Sequence, residues 1–186
     1  MERHEESKTA VEIDRSPLDE PDPDEDEPAV PTDLGPRSLA RWYAFQALYQ
    51  LGVTHEPVKR SLELLWATDG ATADTLVRRF ATQLATLTMK HLDKIDRLIE
   101  QYAQQRALHR IPMVDLAILR LGCAELLYLS DVPPAVTIDE MIEIAKRFST
   151  GDSPAFVNAV LDRIRAHRDE VPASEKDESR WVSTEG

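Results

Sequence analysis

The stretch from Ile111 to Leu129 constrains the fold more than any other part of the chain. Pro112 suits a first helical turn, where its missing N–H has no partner to lose. From Met113 onward only Asp115, Arg120 and Glu125 carry charge. At about 100° per residue these three positions fall roughly 140° apart, so no wide solvated face is left. A helix that is apolar almost all round is a buried one. With about 17 helical residues and three charges, it is too short and too charged for a membrane span. The expectation is therefore the central helix of an all-helical domain. Each of its charges needs a partner, because an unpaired buried charge is costly.

Charge is distributed unevenly along the 186 residues. Residues 1–36 hold 13 acidic and 3 basic side chains, and residues 167–186 hold 6 and 3. The interval 37–166 holds 15 acidic and 16 basic side chains, so the net charge of −12 belongs to the ends. A nearly neutral middle leaves an anionic partner open. Residues 1–36, with the run Asp22-Pro23-Asp24-Glu25-Asp26-Glu27-Pro28, have too little apolar surface to offset chain ordering and read as a disordered acidic extension. Residues 167–186 read as a similar acidic tail, in which Trp181 is an isolated aromatic. The expected folded domain is 37–166. Lone Cys123 excludes a disulfide framework. The absence of an apolar leader or membrane span makes the cytoplasm the default.

Apolar spacing predicts further helices on both sides of the central one. The first runs from Arg37 to Leu51, with Gly52 closing it. Ala40, Ala44, Ala47, Leu48 and Leu51 form a stripe of small and apolar residues, which admits a close helix neighbour. A second helix covers Pro57 to Ala67, with Thr54 as its cap. Leu76, Phe80, Leu84 and Leu87, then Leu92, Ile95, Leu98, Ile99 and Tyr102, indicate one long helix or two with a bend between Thr86 and Lys90. After Pro133-Pro134, a helix from about Val136 to Phe148 has capping-box spacing in Thr137 and Glu140, the alternative being an earlier start at Pro134. A last helix begins at a cap on Asp152 or Ser153, with Pro154 in its first turn, and ends near Ala166.

Reactive chemistry is hard to find. His4, His55, His91, His109 and His167 do not pair with other ligands at metal-binding spacing, and no Gly-rich phosphate loop occurs. Asp139, Glu140 and Glu143 read as a solvated helix face. The expectation is a protein without catalytic residues, metal or cofactor. One surface feature stands out. Arg37, Arg41, Phe45 and Tyr49 form an i, i+4 row on the first helix, with Trp42 and Gln46 beside it. Cations beside flat rings suit single-stranded RNA, where Arg meets phosphate and bases stack on aromatics. The competing reading makes Phe45 and Tyr49 core and the arginines a solubilising fringe.

Two blocks of sequence resemble the NusB family of bacterial antitermination factors. The first is Ala40-Arg41 with Gln46-Ala47-Leu48-Tyr49-Gln50. The second comprises Val114-Asp115, Ala117-Ile118-Leu119-Arg120-Leu121, Glu125-Leu126-Leu127-Tyr128 and Asp131-Val132-Pro133-Pro134. It continues through Ala145-Lys146, Phe148, Asp152-Ser153 and Phe156-Val157-Asn158-Ala159-Val160-Leu161. The resemblance implies an all-α fold of about seven helices in two small packed bundles. It implies binding of the single-stranded boxA element of ribosomal RNA leader transcripts, together with the small-subunit ribosomal protein NusE. The wider assembly is the RNA polymerase antitermination complex, and ribosomal RNA maturation is a second role. Carried over by position, the RNA-binding residues are Arg37, Arg41, Gln46, Tyr49, Asp152 and Phe156. The family often has arginines at the positions of Ser38 and Leu39, a basic residue at Ala155 and Gly at Ala159. Fewer cations imply weaker binding and a shallower salt dependence.

Two other classes stay open. A protein-binding scaffold or homodimer would use the aromatic flank as its interface. A detached relative of the RNA-binding domain of ribosomal RNA cytosine methyltransferases would share the fold, but no methyltransferase-like strand and Gly-loop pattern follows residue 166. The acidic extension is expected to solubilise, the alternative being that it folds back over Arg37 and Arg41 as an RNA mimic.

Overall fold

The computed structural model describes residue 31 and residues 33–68, 74–104 and 107–167. Seven α-helices lie among them: α1 (Pro36–Thr54), α2 (Val58–Ala67), α3 (Thr75–Lys90), α4 (Leu92–Tyr102), α5 (Met113–Tyr128), α6 (Pro134–Phe148) and α7 (Ser153–His167). A 3-10 turn at Leu108–Arg110 precedes α5, and no strand occurs among the described residues. Helices α1, α2 and α3 pack on one another, as do α4 to α7, and α5 joins the two groups through α1 and α3. The all-α, two-bundle architecture is as expected. The readings of residues 1–30 and 168–186, Trp181 included, lie outside the described residues.

Helix α5 is the central buried helix. From Ala117 to Leu129 every residue except Arg120 is buried. Its three charges find partners on three sides. Asp115 accepts from the hydroxyls of Ser149 (2.5 Å) and Ser153 (2.9 Å), which ties α5 to the α6–α7 junction. Arg120 donates to both carboxylate oxygens of Asp96 on α4, each at 2.8 Å. Glu125 is fully buried and pairs with Arg41 of α1. Gly122 is where α5 meets its neighbours most closely. A Cβ there would lie 2.9 Å from atoms of both Leu161 and Met141.

Helix α1 is longer than its sequence suggests. Gly52 lies inside it instead of closing it, and Met113 packs there so near that a Cβ would sit 3.0 Å from its sulfur. The helix ends at His55, which takes the left-handed conformation with φ 60°. Thr54 therefore belongs to α1, its hydroxyl donating to the Gln50 carbonyl at 2.8 Å, and Pro57 precedes α2. The two halves of the Leu76–Tyr102 pattern are separate helices, divided at His91, just past the expected bend. Asp74 caps α3 by accepting from the Leu76 N–H. Thr137 does not cap α6. Its hydroxyl turns inward to Glu125, and Pro133 takes the cap position.

Candidate nucleic-acid interface

The expected surface row on α1 divides into a buried middle and two exposed ends. Ala40 to Leu48 are all buried except Gln46, because α2 and α3 cover one side of α1 while α5 and α6 cover the other. Arg41 is 1% exposed. Its Nε donates to both Glu125 oxygens (3.1 and 2.9 Å), and its Nη2 lies 2.6 Å from Oε1. Thr137 donates to the same carboxylate at 3.0 Å, and Glu140 stands 3.7 Å from Arg41 Nη1. Glu140 also accepts from Ser38 at 2.7 Å, so it is half-buried and not part of a solvated acidic face. The expectation that Arg41 offers its charge to phosphate is corrected here. Its guanidinium is enclosed and already neutralised.

Phe45 is likewise core, with its ring 5.3 Å from Phe148 of α6. Tyr49, one turn later, stacks on Phe45 at 6.2 Å and is 37% exposed, so a ring remains available at this end. Gln46 is half-buried, and its Oε1 is enclosed without a hydrogen-bond donor. Phe148 stands four residues before Asp152, which is exposed in the α6–α7 turn. Phe156, in the first turn of α7, is half-buried. Asp115 holds this turn through Ser149 and Ser153, so its shape is fixed from the centre of the domain. Asp152 contributes its carbonyl to α7, accepting from Phe156 N–H at 3.1 Å.

Arg37 marks the other end. It is exposed, lies 4.9 Å over the Phe80 ring and sits 3.4 Å from Asp131. Tyr49 lies twelve helical steps further on, about 18 Å along the axis. The six carried-over residues therefore do not form one cluster. Phe80, Phe148 and Arg147 escape a search of α1 alone. Arg147, beside Phe148, is partly exposed and donates to Asp33 at 2.8 Å. That hydrogen bond holds the Asp33 carboxyl below the ordinary carboxylate range.

The described residues contain no cluster of His, Cys, Asp and Glu able to hold a metal. Burial pushes the Cys123 thiol far above its ordinary range and so removes it as a nucleophile. No described helix is long and apolar enough to cross a membrane. Exposed Arg37, the partly exposed Tyr49 ring and a rigid α6–α7 turn suit the surface to binding.

Comparison with known proteins agrees with that character. Residues 38–166 match the model of the NusB family. Transcription antitermination protein NusB of Thermodesulfovibrio yellowstonii is 37% identical over 136 residues, covering 69% of this chain and 90% of the relative. The same-named protein of Streptomyces avermitilis is 41% identical over 140 residues, covering 71% and 92%. A solved structure of T. maritima NusB shares 37% identity with a TM-score of 0.66, covering 74% of this chain and 99% of its own. A crystal structure of antitermination factors NusB and NusE in complex with dsRNA gives 25% identity and a TM-score of 0.66, covering 70% and 96%. With the match running from the start of α1 almost to the end of α7, the chain belongs to the NusB family.

Proposed function

We propose that this protein is a cytoplasmic, non-enzymatic antitermination factor. It binds boxA-like single-stranded RNA in ribosomal RNA leader transcripts together with the ribosomal protein NusE. It thereby helps load the antitermination complex on RNA polymerase and supports ribosomal RNA transcription and maturation. The observation that carries the reading is the family match across all seven helices, with a relative solved in complex with NusE and dsRNA.

Within that reading the residues divide by chemistry. Arg37 positions a phosphate. Tyr49 and Phe156 offer ring faces to unpaired bases, each worth about 1–3 kcal/mol when a base stacks. Asp152 repels phosphate and accepts from a base edge or from the partner. Half-buried Gln46 supplies an amide that can donate to and accept from a base edge. Arg41 acts as a positioning residue that fixes α1 against α5. With Arg37 the one exposed arginine of the carried-over set, the RNA contribution is modest, and the protein partner supplies much of the affinity. Titrating labelled boxA-like RNA with this protein, with and without NusE, tests the reading. Binding that tightens with the partner is expected; no binding in either arm rejects it.

A protein-docking role for the C-terminal end of α1 has one observation in its favour. Tyr49, Val53 and Met113 are all exposed there, at 37%, 53% and 45%. Size-exclusion chromatography with and without RNA separates the two. A stable dimer indifferent to RNA favours a scaffold.

A further inference from the structure

Arg147 occupies the last turn of α6, one residue before Phe148. Phe148 meets Phe45, which carries the exposed Tyr49 on its other side. Arg147 thus neighbours Phe148 in the chain and comes five residues before Asp152, which is exposed in the α6–α7 turn. Its partner, Asp33, belongs to the short stretch leading into α1, 114 positions away in sequence. The two side chains are 39% and 67% exposed. Its neighbour Lys146 pairs within its own helix, with Glu143 at 2.6 Å. A cation at a helix C-terminus is already favoured by the helix dipole, so the helix itself does not require Asp33.

We propose that Arg147 is a further phosphate-binding residue of the RNA surface, and that Asp33 occupies it in the free protein until the RNA backbone displaces it. The proposal rests on the RNA-binding reading above. Its chemistry is an exchange of one anion for another. The carboxylate of Asp33 accepts a hydrogen bond from Arg147 Nη2 at 2.8 Å. It therefore stands where a phosphate oxygen would stand. A phosphate can take the guanidinium fork bidentately, which arginine favours over a single contact. The exposed Asp33 pair is weak by comparison, so it is displaced without unfolding anything.

The strength of such a pair sets the size of the effect. When Asp33 no longer competes, affinity should rise by up to about five-fold at low salt, the range to which an exposed ion pair converts. The gain should fade as salt screens the pair. Removing the cation should weaken binding and make the salt slope shallower by about 0.7 for a single strand.

The test is a titration of boxA-like RNA with the full chain and with D33N, R147A, R147K and the double variant D33N/R147A, each checked by thermal melting. The expected result is tighter binding for D33N, weaker binding for R147A, partial rescue by R147K, and no effect of D33N in the R147A background. The last arm separates a specific pair from a general gain of positive charge. If the pair is merely structural, melting temperatures shift while affinity and salt slope do not, and the proposal is overturned. If D33N tightens binding equally with and without Arg147, it is overturned as well. Failure of the unaltered chain to bind RNA rejects the RNA-binding reading itself, and Arg147's role with it. Binding that ignores every variant rejects only the role of Arg147.

Discussion

Replacing Arg41 with alanine should damage the fold far more than an RNA contact. Glu125 is fully buried and receives its charge compensation from Arg41, with Thr137 as a further donor. Without the guanidinium, the carboxylate keeps one hydroxyl and no cation at hydrogen-bonding distance. Breaking a buried pair on one side typically costs about 3–5 kcal/mol. A domain of this kind has only about 5–15 kcal/mol in total, so Arg41→Ala should lose a large share of its stability. Removing both charges tells a different story. Replacing Arg41 and Glu125 together with methionine and leucine should be neutral or stabilising, because two desolvation penalties disappear with the attraction. Urea denaturation monitored by circular dichroism measures both variants, with a lower midpoint and unchanged slope expected for Arg41→Ala. A loss below about 1 kcal/mol, as for exposed pairs, would refute the assignment of Arg41 to the core.

Other perturbations address packing, charge and pH. Gly122→Ala should cost about 1–3 kcal/mol, because its Cβ meets Leu161 and Met141 at 2.9 Å, and denaturant melts will show it. Arg37→Ala should leave stability nearly unchanged and reduce the salt slope of RNA binding by about 0.7, read from titrations across a salt series. The Asp33–Arg147 pair should contribute stability above the ordinary carboxylate range. Its carboxyl is held low in the folded state, so that contribution is lost as pH falls through the lowered value. The melting difference between wild type and D33N should therefore close in strong acid and persist at neutral pH.

The sequence made some of this legible and concealed the rest, for identifiable reasons. Helix α5 was readable because its apolar residues run all round, and its three charges announced partners that α4, α1 and the α6–α7 turn supply. The i, i+4 row of α1 was misleading. Periodicity places Arg37, Arg41, Phe45 and Tyr49 on one stripe but does not reveal that neighbouring helices cover the stripe's middle. A signal for the Arg41–Glu125 pair was nevertheless present. Each stands between apolar neighbours, Arg41 between Ala40 and Trp42 and Glu125 between Ala124 and Leu126, and the signs are opposite. Phe148 and Arg147 gave less warning, since both end an amphipathic helix whose charged residues look solvated. Asp33 could not be placed at all, because one carboxylate among 13 in an acidic stretch has no distinguishing neighbour. Glycines were ambiguous too. Gly52 looked like a helix stop, whereas it makes room for Met113 inside the helix.

The most direct measurement is the affinity of boxA-like RNA, with NusE present, for wild type and for Tyr49→Ala. Tyr49 is exposed enough that its loss spares the fold. Loss of one stacked base should weaken binding by about 1–3 kcal/mol, five-fold to more than a hundred-fold. Equal affinity for a folded Tyr49→Ala would contradict the claim that unpaired bases stack at the C-terminal end of α1.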